Sequence, residues 1–480
     1  MTKTPLSVSG TSEASGDMFP AGLKVPGIYR AGTLTYSMAG LCALFGWLLW
    51  GDFTMGFFES IFSKFLPLYL NSIHASNALI GIMTGSLAGG FNLLFLPNFS
   101  QWSDRYRGHR GRRIPFIYFS TAPTVIFLIG IGFAPEIAGW THSQLIARLA
   151  PSVSLVSVIL TFLCFSILAF HFFNMVLINS YNWLLRDVVP MEWMSRFIAY
   201  FRVVSTLSSV GFLWFVFPHL LTHRKEVFLG IGGFYLVSFM LMSWKVKEGE
   251  YPPPTPPAER PGILKSYGLY FRDSLSVAIY RNNLIAYVLV TAVTAASPFG
   301  MLFMRQTLGF AMLDIGHIFA WGAAVSAVAF VPMGWLCDRI SPIRVCVISL
   351  FIQLVVSALA YLFVDTRTSY LVYFIVSAIP GAGWAAGSLI TMMKLYPKER
   401  FGEFSSALAC FGTVSGILSN CVMGFFMDLA HSNYRMSFLW CAACFGLAIY
   451  PMMLVYRGWR LHGGPHNYLP PLPGQGTAQP

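Results

Sequence analysis

The chain has 480 residues, 56% of them hydrophobic and only 10% charged, with a mean hydropathy of +0.63. Soluble domains carry about 25% charged residues, and a soluble fold would have to hide more apolar surface than a chain of this size encloses, so lipid is the expected solvent. The net charge of +12 does not indicate nucleic-acid binding, because Lys and Arg fall in short clusters between apolar runs, where they act as topology signals.

Residues 1–34 are polar and rich in Ser, Gly and Thr, and read as a disordered tail with no cleavable signal. The first span is therefore expected to double as the insertion signal. A bilayer is crossed by about 20 mostly apolar residues, and twelve such runs follow: α1 37–69, α2 76–101, α3 114–134, α4 153–184, α5 196–220, α6 226–245, α7 282–304, α8 312–336, α9 343–364, α10 369–393, α11 404–428 and α12 434–456. With the N-terminus placed in the cytoplasm, the cytoplasmic segments hold 24 of the 31 Lys and Arg. The remainder are Lys64, Arg148, Arg224, Lys225, Arg305, Arg367 and Arg435. Both termini are thus expected inside, in a multi-pass protein of the cell (inner) membrane.

The longest polar stretch, 246–281, divides the chain into six-helix bundles at 35–245 and 282–458. It holds the stiff Tyr251–Pro257 segment and then Ser266–Arg281, which reads as an amphipathic helix lying on the membrane surface. Residues 459–480, rich in Pro and Gly, read as a second disordered cytoplasmic tail. The expected fold class is all-α integral membrane: twelve transmembrane helices in two six-helix pseudo-repeats. All eight cysteines lie in or beside apolar runs, so no secreted disulfide framework is implied. The redox-like spacing of Cys441 and Cys444 falls inside a span and reads as small-residue packing.

Two pairs of signals recur in order. Ser103-Asp104-Arg105 and Arg110-Gly111-Arg112-Arg113 follow α2; Asp338-Arg339 and Arg344 follow α8. Pro190, Glu192, Arg196 and Phe197 follow α4; Pro397, Glu399, Arg400 and Phe404 follow α10. An acid at a helix end can pair with Arg or accept N–H groups from a neighbouring helix start in one conformation and release them in another. Asp104, Arg105, Arg112, Arg113, Asp338, Arg339, Glu192, Arg196, Glu399 and Arg400 are therefore expected to form a cytoplasmic gate. His109, in the same Arg-rich loop, belongs to that region.

The stretch Pro97 to Ile117 resembles the loop signature of the major facilitator superfamily, Gly-x-x-x-Asp-Arg-x-Gly-Arg-Arg, with Ser100 in place of its Gly. Its extension through Pro115-Phe116-Ile117 is similar to the glycoside–pentoside–hexuronide:cation symporters and the sucrose carriers. Trp50 to Gly56 resembles the segment in which those symporters carry a sugar-recognising aspartate, a role that would fall on Asp52. Their two cation-holding acids of α2 fall at Asn92 and Leu96. An amide and an aliphatic chain form no carboxylate cage for a hard cation, so the resemblance favours H+ over Na+, or no coupling.

An ionisable group at bilayer depth is costly and functional by default. Asp52 and Glu59, seven residues apart, lie near one face of α1, and Lys64 is placed to pair with Glu59. On α4, His171, Asn174 and Tyr181 share a face that either binds hydroxyls or joins helices. Arg202 on α5 is positioned to neutralise an acid of α1 or α4, or to snorkel to the cytoplasm. His317 and Trp321 lie on α8, and Trp384, Ser388 and Thr391 on α10, where an indole suits the C–H face of a sugar ring and hydroxyls fix its polar edge.

The expected activity is alternating-access transport of a small polar organic solute, a sugar or glycoside, between the halves, by a monomer with no cofactor or metal. Asp52 would carry substrate or proton, with Glu59 as second candidate, since protonation neutralises a costly buried carboxylate. The rivals are proton-antiport export of apolar compounds and a non-transporting sensor on the same scaffold, the latter disfavoured by the short loops. An enzyme is not expected: no phosphate-binding Gly loop, metal-ligand spacing or nucleophile motif occurs.

Overall fold

A computed structural model describes residues 28–146, 152–251, 272, 275–397, 400–464 and 468–471. All twelve expected spans form. In the first half they are α1 Met38–Ser72, α2 Asn77–Arg105, α3 Ile114–Gly132, α4 Leu155–Val188, α5 Met191–His219 and α6 Arg224–Lys245. In the second they are α7 Ala278–Thr307, α8 Met312–Ile340, α9 Pro342–Phe363, α10 Arg367–Leu395, α11 Phe404–Leu429 and α12 Met436–Leu461. Helix starts follow local chemistry. Ser76, Ser154 and Thr366 cap α2, α4 and α10 by accepting the N–H of Leu79, Ser157 and Ser369, and Pro115 and Pro342 sit in the first turns of α3 and α9, where no N–H is needed.

The expectation of an unstructured tail through residue 34 fails at its end. Strand β1, Ile28–Ala31, pairs antiparallel with β2, Leu34–Ser37, around Gly32 in the left-handed region. Tyr29 faces Tyr36 across the pair, the aromatic and β-branched content that favours such a ribbon. At the other end α12 continues to Leu461, beyond the expected 458. Most of the linker, including the Pro run from 252 and most of the surface helix proposed for 266–281, lies outside the described residues.

Packing repeats with the sequence. In the first half α1 packs on α5 and α6, α2 on α4, and α3 on α4 and α6; in the second, α7 packs on α11 and α12, α8 on α10, and α9 on α10 and α12. The cores are aromatic: Phe65, Tyr69, Phe170, Tyr181, Phe228, Tyr235 and Phe239 are fully buried in the first half. Side chains such as Phe119, Ile126, Val237, Phe351 and Leu447 stay exposed, as a lipid-facing surface requires.

The halves meet through α2 on α11, α5 on α8, and α1 on α7. These contacts use the start of α2 with the end of α11, and the end of α5 with the start of α8. Both lie on the face opposite the one that carries Ile28 and Pro471. The bundles therefore converge on that opposite face, while the loop signatures of the terminal face sit in separate halves.

Candidate solute site and gates

Irregular turns shape the interface. Wide π-type turns occupy Ile61–Phe65 in α1, Ile82–Ser86 in α2, Phe212–Val216 in α5 and Phe303–Thr307 in α7, with a tight turn at Thr294–Ala296. Such turns are costly in a regular helix and recur at functional sites. Here Ser63, Thr84, Gly85 and Thr294, from these turns, line a cavity of about 550 Å³ between the halves, with Tyr287, Thr291, Ser297, Thr413 and Asn420. Gly85, Gly89, Gly412 and Gly416 line it as well. A second cavity of about 300 Å³ shares Tyr287 and Ala409 with the first and adds Asn283, Trp384, Ser388 and Ser405. Among the described residues, every lining side chain of both is uncharged.

Trp384 and Ser388 line the second cavity, whose described lining residues all belong to the second half. The other candidates are elsewhere. Asp52 is 3% exposed inside the first bundle, with its Oδ2 unpartnered. Beside it, the buried Tyr181 hydroxyl donates to the Leu48 carbonyl at 2.6 Å. Gly51 permits this approach, since a Cβ there would lie 3.3 Å from the Tyr181 ring and 3.0 Å from the Met242 sulfur. Glu59 and Arg202 act on Asp52 electrostatically from exposed positions.

His171 is buried against Phe62 and Phe170, its Nε2 without a partner, while the Asn174 Oδ1 accepts from the Tyr235 hydroxyl at 3.3 Å. Asn174 thus joins α4 to α6. The expected Lys64–Glu59 pair is absent among the described residues; Lys64 lies over the Phe319 ring of α8 at 4.3 Å. Five residues on a regular helix turn the side chains to different faces. His317 stacks on Trp214 of α5 at 4.0 Å, with Trp321 edge-on to the same indole, so both help to join the halves.

The terminal-face network of the first half is dense. Arg113 pairs with Asp104 and donates to the Ser103 hydroxyl at 2.6 Å. Arg112 grips Asp187 with two hydrogen bonds, 2.8 and 3.1 Å, and stacks on Tyr251. Glu248 accepts the N–H groups of Arg112, Arg113 and Ile114 at 2.8, 2.8 and 2.6 Å, capping α3. The Tyr251 hydroxyl donates to both Asp187 and Glu248, at 3.1 and 3.0 Å. Burial, then the adjacent Glu248 and Asp187 charges, push that phenol well above its ordinary range.

This network ties α2, α3, α4 and the segment after α6 within one half. Asp187, Glu248 and Tyr251 were not among the expected gate residues; the acids directly following α4 and α6 were the signal. Arg105 makes no ion pair among the described residues, Arg196 lies over Trp193, Arg339 over Trp335 and Arg400 over Phe404. Glu192 lies in the first turn of α5, and Glu399 lies outside the described residues.

A second polar cluster, which the sequence did not suggest, joins the halves on the opposite face. The Asp428 carboxylate, at the end of α11, accepts from Asn77 N at 3.0 Å, Asn77 Nδ2 at 2.8 Å and Ala78 N at 2.9 Å, capping α2 across the interface. Tyr434 donates to Asn77 Oδ1 at 3.1 Å, and Gln306 bonds Asn71. Gly424 makes the approach possible: a Cβ there would stand 2.7 Å from the Asn77 carbonyl oxygen.

Comparison with solved structures gives the same fold. A bacterial homologue of the human lysosomal transporter Spinster, inward-facing and unoccupied, aligns with a TM-score of 0.62 and 14% identity over 87% of this chain and 96% of that one. The nucleoside transporter NupG aligns at 0.63 and 14% over 86% and 99%. An inward-facing bacterial homologue of the iron transporter ferroportin aligns at 0.60 and 16% over 86% and 99%. No curated protein matches the sequence significantly. The Major Facilitator Superfamily profile matches residues 48–420 and again 284–467. With twelve spans in two repeated bundles and this match over most of its length, the chain is a secondary transporter, not an enzyme, and belongs to the Major Facilitator Superfamily.

Proposed function

We propose that the protein is a monomeric, proton-coupled carrier of a neutral polar solute, a sugar or glycoside, in the cell membrane with both termini in the cytoplasm. The observation that carries the solute class is the hydroxyl- and amide-rich lining, uncharged among the described residues, of the cavity between the halves and of the smaller one beside it. A charged solute would find no counter-ion among those residues, whereas a polyhydroxylated ring finds donors and acceptors on its edge and, in the adjoining cavity, the Trp384 indole for its C–H face. A nucleoside offers related chemistry, and one fold neighbour is a nucleoside transporter.

Asp52 is separate from this cavity, which suits a proton site better than a sugar contact. A carboxylate with an unpartnered buried oxygen gains most from taking up a proton, and the nearby Tyr181 hydroxyl is committed to the Leu48 carbonyl. Coupling then runs through α1, whose wide turn brings Ser63 to the solute cavity. H+ rather than Na+ fits, since Asn92 bonds the Ala88 carbonyl and Asn179 and supplies no carboxylate.

Proteoliposomes test the coupling. Asp52→Asn is expected to abolish uphill accumulation driven by an imposed pH gradient while leaving solute counterflow intact. Accumulation equal to that of the unmodified protein would remove Asp52 from the mechanism.

A further inference from the structure

The two halves repeat one another on the terminal face, but their charges do not. In the first half the start of α3 and the arginines beside it are satisfied by the protein's own carboxylates, Asp187 and Glu248. Asp187 stands three residues before Pro190, in the last turn of α4. The repeat places Lys394 three residues before Pro397, in the last turn of α10. The last turn of α6, with Trp244-Lys245, leads to Glu248, whereas that of α12, with Trp459-Arg460, leads to Gly463. Where the first half holds two anions, the second holds a cation and a glycine.

The space those carboxylates would fill is open. A cavity of about 1090 Å³ is bounded by the ends of α8, α10 and α12 and the start of α9. Arg339, Arg344, Lys394 and Arg460 line it, against Asp338 as the one acidic lining residue among those described. None of these four cations forms an ion pair among the described residues; Arg344 donates to the Tyr456 hydroxyl at 2.8 Å. The start of α9 lacks any side-chain cap, and the Ser341 hydroxyl that precedes it is buried without a partner, on a backbone held at φ +119°. Thr391, 1% exposed and also lining the cavity, has an Oγ1 with no hydrogen-bond partner. Unpaired guanidinium and ammonium groups, an uncapped helix start and idle buried hydroxyls together form a receptor for a multiply charged oxyanion.

We propose that this cavity binds a phosphate-bearing anion, which takes the place in the second half that Asp187 and Glu248 hold in the first. Bound there, it draws the ends of α8, α10 and α12 onto α9 as the carboxylates do for α2, α4 and the segment after α6. The site is distinct from the solute cavity and does not depend on what the carrier transports. Its anion is either a soluble phosphate compound or the headgroup of an anionic lipid at the membrane surface.

Calorimetric titration of the purified full-length protein in neutral detergent separates these, with inorganic pyrophosphate in one arm and short-chain phosphatidylglycerol in the other. At least one probe is expected to bind, and binding is expected to weaken about tenfold or more in Arg344→Gln and in Lys394→Asp. Lys394→Asp is the discriminating variant, because it supplies the carboxylate of the first half. Without any probe it should melt no lower than the unmodified protein. Should it fail to fold, Arg460→Gln serves with Arg344→Gln. Binding of the lipid alone assigns the site to the membrane surface, and binding of pyrophosphate assigns it to a soluble anion. Failure of both probes to bind, or equal affinity in the charge variants, overturns the proposal.

Discussion

Glu248 and Tyr251 show how much a few side chains contribute at the terminal face. Glu248 caps three N–H groups at the start of α3, and charge-assisted bonds of this kind are worth about 1.5–3 kcal/mol each before solvent screening. Glu248→Ala is therefore expected to lower thermal stability by about 2 kcal/mol, read as a lower melting midpoint. Tyr251 adds a pH dependence. Its phenol has a raised folded-state value against an ordinary 10.0, so its contribution is whole below pH 10 and is lost as the pH climbs through the folded value. Tyr251→Phe should flatten that alkaline loss in a pH series of melting curves. The burial of Asp52 was legible in the sequence, because a carboxylate within an apolar run must lie at bilayer depth. Asp187 and Glu248 were not, since an acid at a helix end reads as solvated until the arginines 75 and 136 residues away are seen to meet it.

At the scale of elements, the spans themselves were legible to within a few residues, because length and hydropathy fix a membrane helix with little help from its neighbours. What the pattern conceals is how the helices deform and where they touch. The wide turns at Ile61–Phe65 and Ile82–Ser86 leave no compositional trace, yet they present Ser63, Thr84 and Gly85 to the cavity. The contact of α2 with α11 depends on Gly424 and on the Asp428 cap. Asp428→Asn keeps the shape but removes the charge that holds the N-terminus of α2, so it should shift the carrier toward opening on the face opposite the termini. The readout is labelling of Thr291→Cys by an impermeant thiol reagent applied to that face, which should rise several-fold above the background of the native cysteines. Gly424→Val should do the same by steric means; no change in either variant would show that this contact is not a gate.

For the whole molecule, repetition organises both architecture and expected motion. Each helix contact of the first half has its counterpart six helices later, and the inter-half contacts α2 on α11 and α5 on α8 are themselves a repeated pair. The bundles meet on one face and separate toward the other, the geometry from which a rocking motion exposes the midplane cavity alternately. The proposed cytoplasmic placement of the terminal face rests on the excess of Lys and Arg in its segments. Impermeant labelling in sealed cells should reach a tag in the Arg224 loop and not one in the Arg110 loop.

The solute class is tested most directly by uptake into proteoliposomes across a panel of neutral sugars, glycosides and nucleosides, organic anions and cations, and apolar drug-like compounds. The account predicts saturable uptake confined to neutral hydroxylated solutes, with Trp384→Ala weakening the apparent affinity by about tenfold. Transport of charged or apolar compounds with the neutral hydroxylated ones inert would contradict it.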